Sequence, residues 1–98
     1  MSTRSSDIEG EPGVIVRMWE AQAHPEGFAD LLSWICEVEL PHLEHEPLYI
    51  SGEVYSSTDH RVVVITKWRG SAPVALRAPA RHLITRNPQT WDFTQVDR

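Results

Sequence analysis

Residues Val62, Val63, Val64 and Ile65 form a run of branched apolar side chains that closes with Thr66, Lys67 and Trp68 and shows no polar alternation. Successive side chains of a strand point to opposite faces, so a strand written this way is buried on both. In a chain of 98 residues, one layer of helices covers one face of a sheet, and the other face calls for a second subunit. Size argues the same way. A domain near 60 residues buries only about 60% of its unfolded surface and one near 100 somewhat more, so association adds burial that the monomer lacks.

Composition bounds the answer without naming a reaction. Hydrophobic content of 41% with 23% charged residues is that of a soluble single domain. The single cysteine, Cys36, lies in an apolar helical stretch. It permits no disulfide within the chain and no thiolate cluster, and a small buried core residue is favoured over a catalytic thiol. No apolar run approaches the roughly 18 residues that span a bilayer, and the opening residues carry no hydrophobic leader. The expectation is a cytoplasmic protein with no membrane partner. Met1 to Gly13 reads as a disordered polar tail ahead of one domain over residues 14–98. Residues 1–60 hold two Arg and twelve Asp or Glu, whereas residues 61–98 hold seven Lys or Arg and two Asp. The halves attract one another, which is expected to place the acidic first helix near the basic second half, and the net charge of −5 argues against a nucleic-acid partner.

Val14 to Ala23 reads as a first strand, with Val14, Val16 and Met18 on one face and Ile15, Arg17 and Trp19 on the other. His24 and Pro25 open a helix whose apolar positions Phe28, Leu31, Leu32, Ile35 and Val38 follow helical spacing, and Pro41 is expected to kink it or end it near Leu40. Tyr49 to Ser56 and Arg61 to Trp68 form a hairpin across Ser57, Thr58, Asp59 and His60. Gly70 and Ser71 announce a second helix in two short pieces, Ala72 to Ala78 and Pro79 to Ile84, with Ser71 as N-cap. A last strand runs from Thr90 to Val96, with Trp91 and Phe93 on one side. Strand, helix, strand, strand, helix, strand is the ferredoxin-like βαββαβ order of the α+β class, with an antiparallel sheet. Both helices then lie on one face, and packing the apolar opposite faces of two subunits makes a dimeric α+β barrel.

With that order, the amphipathic helix ending Val38-Glu39-Leu40-Pro41, the hairpin from Gly52-Glu53-Val54-Tyr55 to Val63-Val64-Ile65-Thr66-Lys67-Trp68, and the short second helix, the chain resembles the antibiotic biosynthesis monooxygenase superfamily over residues 14–96. The resemblance implies a homodimer packed sheet to sheet. It also implies a cofactor-independent monooxygenase acting on a small aromatic or polycyclic phenol held between sheet and helices. Such an enzyme supplies a dry pocket and a hydrogen-bonding group for the developing oxyanion. Trp68 matches a tryptophan such enzymes carry at the end of the third strand; some have an asparagine four residues earlier, where this chain has Val64. Haem-degrading relatives pair a first-strand asparagine with a second-helix histidine as iron ligand. Here His82 falls in the matching region, while the strand position is Arg17 or Met18.

Three residues are thus candidates for the site: His82 as a proton acceptor, Trp68 as a ring lining the pocket, and Arg17. Arg17 is a charge in a strand otherwise suited to burial, so it either pairs with a carboxylate such as Glu53 or faces the cavity and stabilises an enolate or phenolate. His42 and His45, three residues apart with Glu44 and Glu46 nearby, have a spacing a metal site can use, but a solvated helix end is favoured. The non-catalytic alternative is a small-molecule-binding or stress-associated dimer of the same fold, and Val64 in place of the asparagine favours it.

Overall fold

The computed structural model describes residues 13–70 and 73–98. The polar tail before Gly13 and the expected N-cap at Ser71 lie outside the described residues. Four strands, β1 (Val14–Gln22), β2 (Tyr49–Ser56), β3 (Arg61–Arg69) and β4 (Gln89–Thr94), form one sheet in the order β2-β3-β1-β4. Every neighbouring pair is antiparallel. The chain is α+β with a four-stranded antiparallel sheet and one helical layer, an arrangement consistent with a small ferredoxin-like fold.

Strand register shows why the sequence settles this way. In β3, Val62, Val64, Thr66 and Trp68 are buried, while the alternate residues Val63, Ile65 and Lys67 are only half covered. Trp19 and Ala21 of β1 stand opposite Val64 and Val62 and share their face. This is the covered face, where the core forms with Leu31, Ile35, Leu40 and Leu43 of the helix. At the β2 edge the backbone passes close to the helix, and a Cβ on Gly52 would collide with the Tyr49 hydroxyl and stand 3.1 Å from Leu40 Cδ2. Any larger residue there would have to displace the Tyr49 ring.

The helix is α1 (Phe28–Trp34), a π-helical turn (Ile35–Glu39) and α2 (Leu40–Leu43), preceded by a 3-10 turn at Pro25–Gly27. It runs through Pro41 instead of ending before it. The amide of Leu40 bonds to the carbonyl of Ile35, five residues back. That wider turn relieves the clash a proline ring makes with the carbonyl four residues earlier in a regular helix. It also shifts the helix phase. Val38, expected inside, is 48% exposed, and Glu39 is fully buried in its place. Cys36, expected in the core, is exposed on the same turn.

A second correction concerns residues 73–80. The helix expected from Ala72 to Ala78 does not form; residues 73–80 are irregular, and only Arg81–Leu83 makes a 3-10 turn. Val74 and Leu76 are half-buried between exposed neighbours, a period of two that suits an extended segment. With Pro73 and Pro79 at its ends, it has neither the amides nor the length of a stable helix. It crosses the covered face as a strap.

The other sheet face has no covering layer among the described residues. Reading across β4, β1, β3 and β2, its rows are Phe93, Val16, Lys67, Ser51; then Trp91, Met18, Ile65, Glu53; then Gln89, Glu20, Val63, Tyr55. The apolar members form a diagonal stripe with polar corners. Phe93, Tyr55 and Trp91 are 52%, 51% and 41% exposed, more than aromatic rings of a lone soluble domain usually are. Trp91 and Phe93 share this side, as the alternation of the last strand requires.

Candidate functional site

Where a second helix would have covered β1 and β4, the strap leaves a cavity of about 190 Å3, lined by Arg17, Trp19, Ala75, Leu76, Arg77, Ala78, Pro88 and Thr90. Alternation on β1 puts Arg17 and Trp19 on this face two residues apart, and the β1–β4 register sets Asp92 opposite Arg17 and Thr90 opposite Trp19. Arg17 donates from Nε and Nη2 to the two carboxylate oxygens of Asp92, each at 2.7 Å. The partner is Asp92, not Glu53, which accepts from the Tyr55 hydroxyl on the opposite face. Arg17 therefore does both things considered for it: it is paired, and it lines the cavity.

The two-pronged hydrogen bond holds the Asp92 carboxyl below the usual carboxylate range and raises Arg17 above its ordinary value, against the opposing pull of burial. A carboxyl whose pKa is lowered by folding stabilises the fold above its unfolded value, near ~3.9, and loses that contribution as pH falls through the lowered one. Because Asp92 is 43% exposed, the pair is worth no more than about 1 kcal/mol. Thermal melts from pH 7 to pH 2 are expected to show Asp92→Asn less stable than wild type at pH 7, with the difference closing below about pH 4. A gap that stays constant with pH would show that the pair contributes nothing.

The strap is fastened from the helix side. The buried Glu39 carboxylate accepts the Arg77 backbone amide at 2.6 Å and Arg77 Nε at 2.9 Å. A carboxylate without contact to solvent is tolerated only when paired in this way. Glu39 and Arg77 escaped the sequence reading, although one signal was present: Glu39 stands four residues after Ile35, on the inward side of the helix. The attraction between the acidic first half and the basic second half is realised here, and again where Glu20 accepts from Arg86 at 3.0 Å and Arg61 at 3.1 Å. That second group borders a shallow depression of about 340 Å3 on the uncovered face, beside Met18, Val63, Gln89 and Trp91.

The three candidate residues do not converge. Trp68 is fully buried. Its indole N–H donates to Thr66 Oγ1 at 2.8 Å, and its ring meets Tyr49 edge to face with centroids 5.5 Å apart. The end of β3 lies under the helix instead of opening onto loops, so Trp68 is a core residue. His82 is exposed on the 3-10 turn, which directs its neighbours Leu83 and Ile84 inward. Neither borders the cavity. The residues implied for a haem do not fit one: His82 is not in the lining that holds Arg17, and the volume is below the ~300 Å3 at which pockets for drug-sized ligands begin. His42 and His45 are both exposed, and no cluster of three metal-ligating side chains occurs among the described residues. No helix among the described residues is long and apolar enough to cross a membrane. No family model, no curated protein and no solved structure matches the chain.

Proposed function

We propose that this chain is the subunit of a homodimeric α+β barrel of the antibiotic biosynthesis monooxygenase type that binds one small aromatic molecule per subunit, beneath the strap. The observation that carries this reading is the cavity between Trp19 of β1 and residues 75–78. It has an aromatic and aliphatic wall with a few polar groups converging on it, the usual composition of a small-molecule site. A cavity of ~150 Å3 accommodates benzene, so about 190 Å3 suits a single ring with a small substituent. The diagonal stripe on the uncovered face supports the dimer, since two such stripes bury each other's aromatic rings.

Binding without chemistry is the first reading, because the described lining offers no histidine and no carboxylate to remove a proton. A cofactor-free monooxygenase acting in the same cavity is the second, favoured by Arg17, whose guanidinium can stabilise a phenolate before it reacts with oxygen. Heteronuclear NMR is expected to show phenol and benzamide shifting the Trp19 indole and the amides of residues 75–78, with an anthrone causing no such shifts. Shifts centred on Trp91, or none with any single ring, would refute the assignment. Oxygen uptake with phenol that disappears in Arg17→Gln would favour the enzyme over the binder.

A further inference from the structure

The cavity beneath the strap is lined by two arginines from distant parts of the chain, Arg17 and Arg77. Each is held from behind by its own carboxylate. Asp92 takes Nε and Nη2 of Arg17, and Glu39 takes Nε of Arg77. A guanidinium carries five N–H donors in a rigid fork, so both arginines keep donors beyond these bonds. The carboxylates fix the forks in direction, and that preorganisation is what makes a pair of arginines an anion clamp. Glu39 and Asp92 are not themselves in the lining. The charged groups that face the cavity are therefore both cationic, and its remaining wall is Trp19, Ala75, Leu76, Ala78, Pro88 and Thr90.

We infer that the cavity selects a monocyclic aromatic carboxylate, with the carboxylate shared between Arg17 and Arg77 and the ring against Trp19, Leu76 and Pro88. This rests on the reading that the cavity holds a single-ring ligand and adds the class of that ligand. Shape suits the ring: a volume of about 190 Å3 matches a single one. Charge selects the substituent, because a carboxylate takes up spare donors of both the largely buried Arg17 and the more exposed Arg77 and a neutral group does not. Arg77 has a second role as the residue that closes the strap. Its backbone amide, which every substitution except proline retains, still reaches Glu39.

Benzoate and benzamide are probes of nearly equal shape that differ in charge. Calorimetric titration of the full chain is expected to show benzoate binding at least tenfold more tightly than benzamide, with the preference shrinking as salt rises. Arg77→Gln is expected to lower benzoate affinity at least tenfold and leave benzamide unchanged, and Arg77→Lys to lie between. Equal affinities in wild type would overturn the inference and leave the single-ring site standing, and this comparison needs no variant to fold. An Arg77→Gln that weakens both probes alike would also overturn it, assigning Arg77 to strap closure alone. Failure of both probes to bind would remove the inference and the site together.

Discussion

Replacing Trp68 with alanine is expected to cost about 3–5 kcal/mol, the range for deleting a large buried aromatic. A domain of this length has a total stability of roughly 5–15 kcal/mol, so Trp68→Ala leaves a protein close to unfolding. The expectation follows from placement. Trp68 has no contact with solvent, meets Tyr49 edge to face, and gives its indole hydrogen to Thr66, itself buried. Trp68→Phe is the discriminating variant. It retains most of the apolar surface but leaves the Thr66 hydroxyl without its donor, for a loss of about 1–3 kcal/mol. Urea unfolding with an unchanged m-value measures both. Folded Trp68→Phe is expected to bind single-ring ligands as wild type does, because residue 68 does not border the cavity. A loss of under 1 kcal/mol in Trp68→Ala, or a loss of binding in folded Trp68→Phe, would return Trp68 to the site and take away its place in the core.

The second large effect concerns association. Ile65 sits in the middle row of the uncovered face between Met18 and Glu53, so Ile65→Lys places an ammonium at the centre of the proposed interface. Loss of one buried isoleucine costs about 1.5–3 kcal/mol, and two-fold symmetry counts it twice. A rise in the dimer dissociation constant of at least a hundredfold is expected, since each ~1.4 kcal/mol is a factor of ten. Sedimentation velocity over a concentration series is expected to show wild type as a dimer and the variant as a monomer with unchanged circular dichroism. The variant should fold, because residue 65 faces away from the helix. A wild-type chain that sediments as a well-behaved monomer at micromolar concentration would defeat the dimer reading, whatever the cavity binds.

The sheet was legible because its signal is local. Unbroken branched residues in β3, alternation in β2 and the polar link between them are each contained within a dozen residues, and register then follows from the hydrophobic faces. The helical layer was legible only up to Ile35. Beyond it a constant ~3.6 residues per turn no longer holds, and one wider turn carries Val38 outward and leaves Glu39 inside. The strap is ambiguous for a different reason. Proline suits the first turn of a helix and an extended segment alike, and only the two-residue period of Val74 and Leu76 tells them apart. At the site, Arg17 stood out as a charge in an apolar strand, but its partner Asp92 and the Glu39–Arg77 pair lie outside its own element. Only the β1–β4 register and the closed strap bring them to one place. Trp68 and His82 entered through a resemblance of pattern, which carries no information about which way a strand end or a turn faces.

The helix that passes through Pro41 has a consequence for how its sequence can change. Leu31, Ile35, Leu40 and Leu43 are inward, and striking out the solvent-facing Cys36 would bring them to the regular spacing of an unbroken α-helix. The same deletion would close the coil around Pro41 and press its ring against a carbonyl, at a cost of ~3 kcal/mol. Proline and supernumerary residue are thus mutually dependent: loss of Cys36 becomes tolerable only in a chain that has already exchanged Pro41.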